Sequence, residues 1–270
     1  LNMAHEKDVV IGLDSSTTAT KAIAWRRDGT VAGSGRSSIP LASIGNNLYE
    51  QNPEDWWQSA CLALRSLFKE IDPERVAAIA ISNQRETFVP LDSKGLAVRP
   101  AIVWLDQRCE KEVAWLASKV GAKRIHQITG KPPDMGPVAY RLAWMLRWEN
   151  EQFRATAMFA DVHSYLVWRL TGTFCTSWAS ADPLGLFDMQ AKEWSREVMD
   201  ALELTAERLP QLAAPGTVIG QVSEVAAAQT GLAPGTLVVA GGGDGQAAGL
   251  GVNALTSSRA YLNLGTAVVS

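Results

Sequence analysis

The stretch VVIGLDSSTTATKAIAW, residues 9–25, decides how this chain begins to fold. Apolar residues run to Leu13, stop at Asp14, give way to Ser and Thr, and then alternate again to Trp25. Alternation on both sides predicts paired strands over 9–13 and 20–25. The loop between them lacks the Asn-Gly or Asp-Gly of a tight hairpin. Its small side chains let backbone N–H groups approach an anion, and its hydroxyls add donors. Asp14, at the head of the loop, suits a hydrated Mg²⁺ beside that anion, and Lys21 adds positive charge. A Ser/Thr-rich hairpin is also a common plain turn, and the stretch alone does not separate the two readings.

Working outward, Asp28-Gly29 is a turn signal, and Thr30 to Gly35 returns as a third strand. Asn52 then caps a helix with Pro53 at its first position and acids in its first turn. The short apolar run 76–82 predicts a buried strand, and 87–104 a strand pair around Ser-Lys-Gly. Helices are expected over 110–120, 138–153, Asp161 to Leu170 and 195–204, with Val225 to Gln229 as ordinary helix. Most of the tryptophans, including Trp56, Trp57, Trp144, Trp148 and Trp168, fall in these helices and read as packing. TLVVAGGGDGQAAGLG, 236–251, reads as strand, glycine loop and helix start. The chain closes on LNLGTAVVS, 262–270, which repeats the opening plan of strand, small Thr-bearing loop and returning strand. This succession predicts a mixed α/β layer architecture.

Composition removes several classes of function. A net charge of −3 with no basic block leaves no footprint for nucleic acid. No apolar run reaches the length of a membrane span. Cys61, Cys109 and Cys175 are scattered without CxxC spacing, and His5, His126 and His163 lie far apart, so neither set predicts a metal site. Reduced thiols and a polar start, Leu1 to Asp8, fit a cytoplasmic protein. Neither a strand–GxGxxG–helix unit nor a Walker A loop opens the chain.

Eight segments together resemble the FGGY carbohydrate kinases in order and spacing. They are GLDSSTTATKA (12–22), YEQNPEDWW (49–57), AIAISNQRET (78–87), RPAIVWLDQR (99–108), TGKP (129–132), LVWRLTGTF (166–174), VVAGGGDGQAAGLG (238–251) and LNLGTAVVS (262–270). The resemblance implies an α/β fold of the actin-like ATPase (ribonuclease H-like) kind, a mixed sheet with flanking helices. It implies residues 9–240 as a sugar-binding first domain and 241–270 as the start of a truncated ATP-binding second domain. ATP and Mg²⁺ are the implied cofactors, and a sugar or polyol is the implied acceptor. A homodimer is left open as the assembly, with no nucleic acid and no membrane as partner.

By the same resemblance, Asp244 is the base that takes the proton from the attacking hydroxyl. Its plainer reading is a helix N-cap beside a glycine turn. Gln84, Arg85, Glu86, Asp106 and Gln246 are the implied acceptor contacts, Asp106 also reading as a cap before helix 110–120. Asp14, Ser16, Thr17, Thr18, Lys21, Gly265 and Thr266 are the implied phosphate and nucleotide contacts, with Asp14 the metal ligand. Ser16 departs from the glycine usual in the first loop. NQRET looks like glycerol kinases, whereas DMGPVAY and GGGDGQAAG look more like xylulokinases, so a ketopentose is expected ahead of glycerol. A non-catalytic sugar-binding or regulatory protein on the same lobe is the rival reading, against which Asp244, Thr17, Thr18 and Thr266 argue.

Overall fold

The computed structural model describes residues 7–261 and the backbone of 263–264 and 268–269. The opening stretch forms the predicted hairpin. β1 (Val9–Ser15) pairs antiparallel with β2 (Ala19–Arg26), and β2 with β3 (Val31–Ser38). The turn is a three-residue loop, closed where the Ser16 backbone N–H and Oγ both donate to the Ala19 carbonyl, at 3.0 and 2.8 Å. Ser16 thus supplies by hydrogen bonding the closure that Asn-Gly would supply by conformation.

β6 (Val76–Asn83) lies parallel to β1, and the strand Leu237–Gly243 lies parallel to β6. Val218–Gln221 completes a six-stranded mixed sheet. One sheet face is sealed by α1 (Pro53–Leu67), α6 (Val162–Thr171) and the helix Glu224–Thr230. α1 begins as predicted: Asn52 accepts the Glu54 N–H at 3.1 Å and Pro53 takes the first turn. Its Trp56, Ala60, Ala63, Leu64 and Leu67 pack on Ile11, Leu13, Ile79 and Ile81 of the sheet. The alternation in β1, with Val9, Ile11 and Leu13 buried and Val10 and Gly12 exposed, leaves the second face open.

Gly35 sits where β3 meets α1, and a Cβ there would overlap the Ala63 carbonyl and lie 2.8 Å from the Leu67 nitrogen. Because those atoms are backbone, neither can swing aside. Gly35→Ala is therefore expected to destabilise by about 1–3 kcal/mol, read as a lower urea midpoint with an unchanged slope. No loss of stability would mean that α1 shifts freely on the sheet.

A second sheet runs β4 (Ala42–Gly45), β5 (Leu48–Gln51), β8 (Ala101–Ile102), β7 (Phe88–Leu91) and β9 (Met158–Asp161) in that spatial order. Its core joins Phe88, Ile102 and Phe159 to α2 (Glu110–Val120), α3 (Ala122–Thr129), α4 (Val138–Trp148) and α5 (Asn150–Ala155). The helix expected over 138–153 is two helices, since Glu149 leaves the helical region and Asn150 Nδ2 bonds the Leu146 carbonyl at 2.8 Å. The helix expected over 195–204 spans only Arg196–Ala201. The glycines expected to form a loop after Ala240 instead belong to the strand Leu237–Gly243. Gly241 fits there because its Cα lies directly on the Ile81 backbone of β6.

Candidate active site

Register brings the chemistry together. Asp14 of β1 is level with Ser82 of β6, which is level with Gly242, and Ser15, Asn83 and Gly243 form the next row. Polar groups at the carboxyl ends of neighbouring parallel strands share one crevice. Asp244 begins the helix Asp244–Gly251 immediately beyond that row. Gly243 holds the N-cap position, so the capping reading of Asp244 does not apply.

Asp14, Ser16, Lys21, Ser82, Asp244 and Gly245 line a cavity of about 580 Å³ on the open sheet face. Ser82 Oγ donates to Asp14 Oδ1 at 3.0 Å, and the Gly245 N–H donates to Asp244 Oδ1 at 2.7 Å. Burial pushes the Asp14 carboxyl above its ordinary value, with the Asp244 charge adding to the rise and Ser82 and Lys21 opposing it. Asp244 is accessible from the cavity, yet loss of water around it raises its carboxyl too, against the Gly245 N–H and Arg85. Two carboxylates beside one anion-accessible loop are the donors Mg²⁺ takes from a protein when water and phosphate complete its octahedron. Among the described residues no cluster of three or more His, Cys, Asp or Glu groups forms a closed metal cage.

The loop hydroxyls are used differently from the expectation. Thr17 Oγ1 accepts the Trp104 indole N–H at 2.9 Å, and the Thr17 carbonyl accepts from Gln51 at 2.7 Å. Thr18 is exposed. What remains for an anion is the loop backbone, the exposed Thr18 and Lys21. Gly265 and Thr266, the second phosphate loop of the sequence reading, lie outside the described residues.

A second cavity of about 530 Å³ is lined by Glu86, Trp104, Asp106, Lys131, Asp134, Met135 and Gly136. Trp104 is 38% exposed and presents its ring there. Burial raises the Glu86 carboxyl, against Lys131, Arg141 and Arg85. Glu86 also has φ of +61°, a left-handed conformation that a non-glycine residue holds only when its surroundings impose it. Arg85 lies beside Gly243, where its Cδ fills the space a Cβ would take next to Asp244, and Glu86 of the second cavity follows it in sequence.

One expected acceptor contact, Gln84, is corrected, and a second, Asp106 of the cavity lining, has both oxygens bonded within the protein. Gln84 is buried, its Nε2 donating to Gln51 at 3.0 Å and its Oε1 accepting from Thr87 at 3.2 Å. It fixes the wall and does not face the cavity. Asp106 is 1% exposed and held by the Tyr49 N–H at 2.7 Å and a bidentate Arg108 at 2.7 Å. It does not cap α2, whose N-cap is Cys109. Gln246 reaches Asp182 at 3.4 Å, and Arg85 Nη2 donates to both Asp182 oxygens at 3.0 Å.

Sequence reasoning missed Asp182, Trp104, Lys131 and Arg141. Arg141 is fully buried, and its guanidinium donates to the Glu86 carbonyl at 2.7 Å, to Gly136, and to Trp104 at 3.4 Å. It gathers three walls of the second cavity. Only its place among the apolar residues of the first two turns of α4 could have flagged it.

Residues 9–251 match the FGGY family of carbohydrate kinases, N-terminal domain. Xylulose kinase of Escherichia coli (strain K12) is 31% identical over 259 residues, which are 96% of this chain and 53% of that enzyme. Glycerol kinase of Saccharolobus islandicus is 31% identical over 225 residues, 81% of this chain and 44% of the relative. The crystal structure of gluconate kinase from Lactobacillus acidophilus superposes with a TM-score of 0.91 at 27% identity, covering 96% of this chain and 53% of that one. The chain thus spans about half the length of these relatives. Among the described residues, no helix is long and apolar enough to cross a membrane.

Proposed function

The chain belongs to the FGGY family of carbohydrate kinases, and from that premise we propose that it is the acceptor-binding half of an ATP-dependent sugar or polyol kinase. The observation that carries this reading is Asp244, set beside Asp14 at the strand ends and joined through Arg85 to the cavity of Glu86 and Trp104. In this reading residues 9–240 hold the acceptor and 241–270 open the second domain.

The acceptor lies against Trp104, with Glu86 and Arg85 bonding its hydroxyls. Asp244 accepts the proton of the attacking hydroxyl as that oxygen bonds the γ-phosphorus of ATP and the bond to the β-phosphate breaks. Its raised carboxyl is a stronger base than an ordinary aspartate. The Ser16–Thr18 backbone and Lys21 face the phosphates. Asp14 would hold Mg²⁺, which would supply neutralisation of phosphate charge when bound. The free thiols of Cys61, Cys109 and Cys175 support a cytoplasmic setting.

A ketopentose is the acceptor this pocket suits best. A Cβ at Gly136 would touch the Glu86 carboxylate at 3.6 Å, so glycine keeps a side chain out of that contact, and Gly245 adds none beside the base. A pocket furnished for extra hydroxyls loses affinity when they are missing, because its own polar groups stay unpaired. With the second domain present, kcat/KM for D-xylulose or D-ribulose is expected to exceed that for glycerol by about tenfold or more. A preference for glycerol would instead support the reading carried by Gln84-Arg85-Glu86, and would overturn this one.

A further inference from the structure

The arginines of the cleft are already bonded within the protein. Arg85 is gripped by Asp182 through two 3.0 Å bonds. Arg108 is divided between Asp106 at 2.7 Å and Glu50 at 2.9 Å. Arg141 is buried among main-chain carbonyls. Lys131 lies near enough to Glu86 and Asp182 to stabilise the charge of both. On the other side of the ledger, Glu86, Asp134 and Asp244 face the two cavities with no arginine bonded to them among the described residues.

Asp182 is firmly placed for its task. It opens the turn Asp182–Leu184, with Pro183 restricting the backbone after it. The segment before it is pinned to the end of β6 by Ser180 Oγ donating to Asn83 Oδ1 at 2.8 Å. Arg85 follows that strand end by two residues, so both partners of the ion pair are fixed to the same edge of the sheet. A pair with both groups partly buried, 21% and 20% exposed, is not one that solvent readily opens.

We propose that Asp182 sets the acceptor class of this site, by holding Arg85 as a hydroxyl donor and denying it to anions. The inference rests on the kinase reading above. A sugar hydroxyl accepts one guanidinium N–H without displacing anything. The carboxylate of an aldonate has to share the Arg85 charge with Asp182, which holds Nη2, while facing Glu86 and Asp134. Like charges brought together at a desolvated site cost several kcal/mol. Uncharged polyhydroxy acceptors are therefore admitted and aldonates are refused. Removing the charge at 182 frees Arg85 to meet an anion and weakens its hold on the neutral acceptor.

The test compares D-xylulose and D-gluconate with the protein carrying both domains, for the native protein, Asp182→Asn and Asp182→Ser. The native protein is expected to favour xylulose in kcat/KM by about 100-fold. Either variant is expected to shrink that ratio by about tenfold or more, with gluconate improving in absolute terms. The serine variant is read if the asparagine variant does not fold. Equal use of gluconate by the native protein, or a ratio unchanged by loss of the charge, overturns the proposal. Acceptor binding is followed in parallel by tryptophan fluorescence, since Trp104 lines the cavity. Selective binding of xylulose without turnover would sink the kinase reading and leave the role of Asp182 standing. Equal binding of the sugar and the acid would sink the inference.

Discussion

Asp244→Asn is expected to lower kcat by about two to four orders of magnitude, with the KM for the acceptor nearly unchanged. The split follows from geometry. Asp244 stands at the first turn of its helix, in the cavity of Asp14 and Ser82, whereas Trp104 and Glu86 line the other cavity. An amide keeps the size of the carboxylate but cannot take the proton of the attacking hydroxyl. Stability supplies a control. Burial raises the Asp244 carboxyl, so the folded protein holds that proton to higher pH than the unfolded chain. The stability it contributes is complete below the unfolded value near 4 and is lost as pH rises through the folded one. At neutral pH the charge is therefore a liability, made worse by Asp14 beside it. The variant should melt no lower than the native protein at pH 7, and the difference should vanish in acid. Turnover within a few-fold of native would remove Asp244 from the role of base. Lost turnover accompanied by a lower melting temperature would mean that the residue acts on the fold.

Much of this arrangement is written locally and can be read from the chain. The β1–β2–β3 meander follows from alternation, and α1 from Asn52-Pro53 and its apolar spacing. The family likeness rests on segments that sit at strand ends, which is where the register then collects Asp14, Ser82 and Asp244. What escaped the sequence is set by tertiary context. Gln84 has the same chemistry as a substrate contact, but Gln51 and Thr87 enclose it, and neither is its sequence neighbour on the strand. The three glycines after Ala240 look like a loop because glycine disfavours strands. Here a Cβ would run into Ile81 at Gly241, Ala179 at Gly242 and Arg85 at Gly243, so all three fit within one. The helix ends at Glu149 without proline or glycine, so no local signal marks the break. Trp148 shares the helical setting of the packed tryptophans, yet it is 62% exposed. Asp182 lies 97 residues from Arg85, and nothing in either segment announces the pair.

Arg141→Met is expected to be the most damaging single change to the second cavity, costing about 3–5 kcal/mol of stability and raising the acceptor KM by about tenfold or more. Methionine matches the length and apolar character of the helix around it, so helix propensity is not at issue. The loss arises at the far end of the side chain. Arg141 is wholly buried, and burial lowers its pKa, with the nearby Glu86 and Asp106 carboxylates acting the other way. Its guanidinium is the donor for the Glu86 and Gly136 carbonyls and reaches Trp104 and Met135 at 3.4 and 3.5 Å. Each carbonyl left unpaired in the interior costs about 1–3 kcal/mol. The Glu86 carbonyl matters twice, because φ of +61° there has to be imposed from outside. Without the arginine, Glu86 is free to relax towards an ordinary backbone conformation and carry its carboxylate away from Gly136, which now lies 3.6 Å from it at the Cβ direction. The acceptor then loses a bonding partner while the cavity of Asp14, whose lining Arg141 does not bond, is left intact. KM for ATP should accordingly stay within about twofold. Arg141→Lys should fall between, since an ammonium has donors but cannot span carbonyls from three segments at once. Urea unfolding and acceptor titrations on the two variants check both parts. A methionine variant within about 1 kcal/mol of native, or one that loses ATP and acceptor affinity alike, would show that Arg141 does not organise this wall.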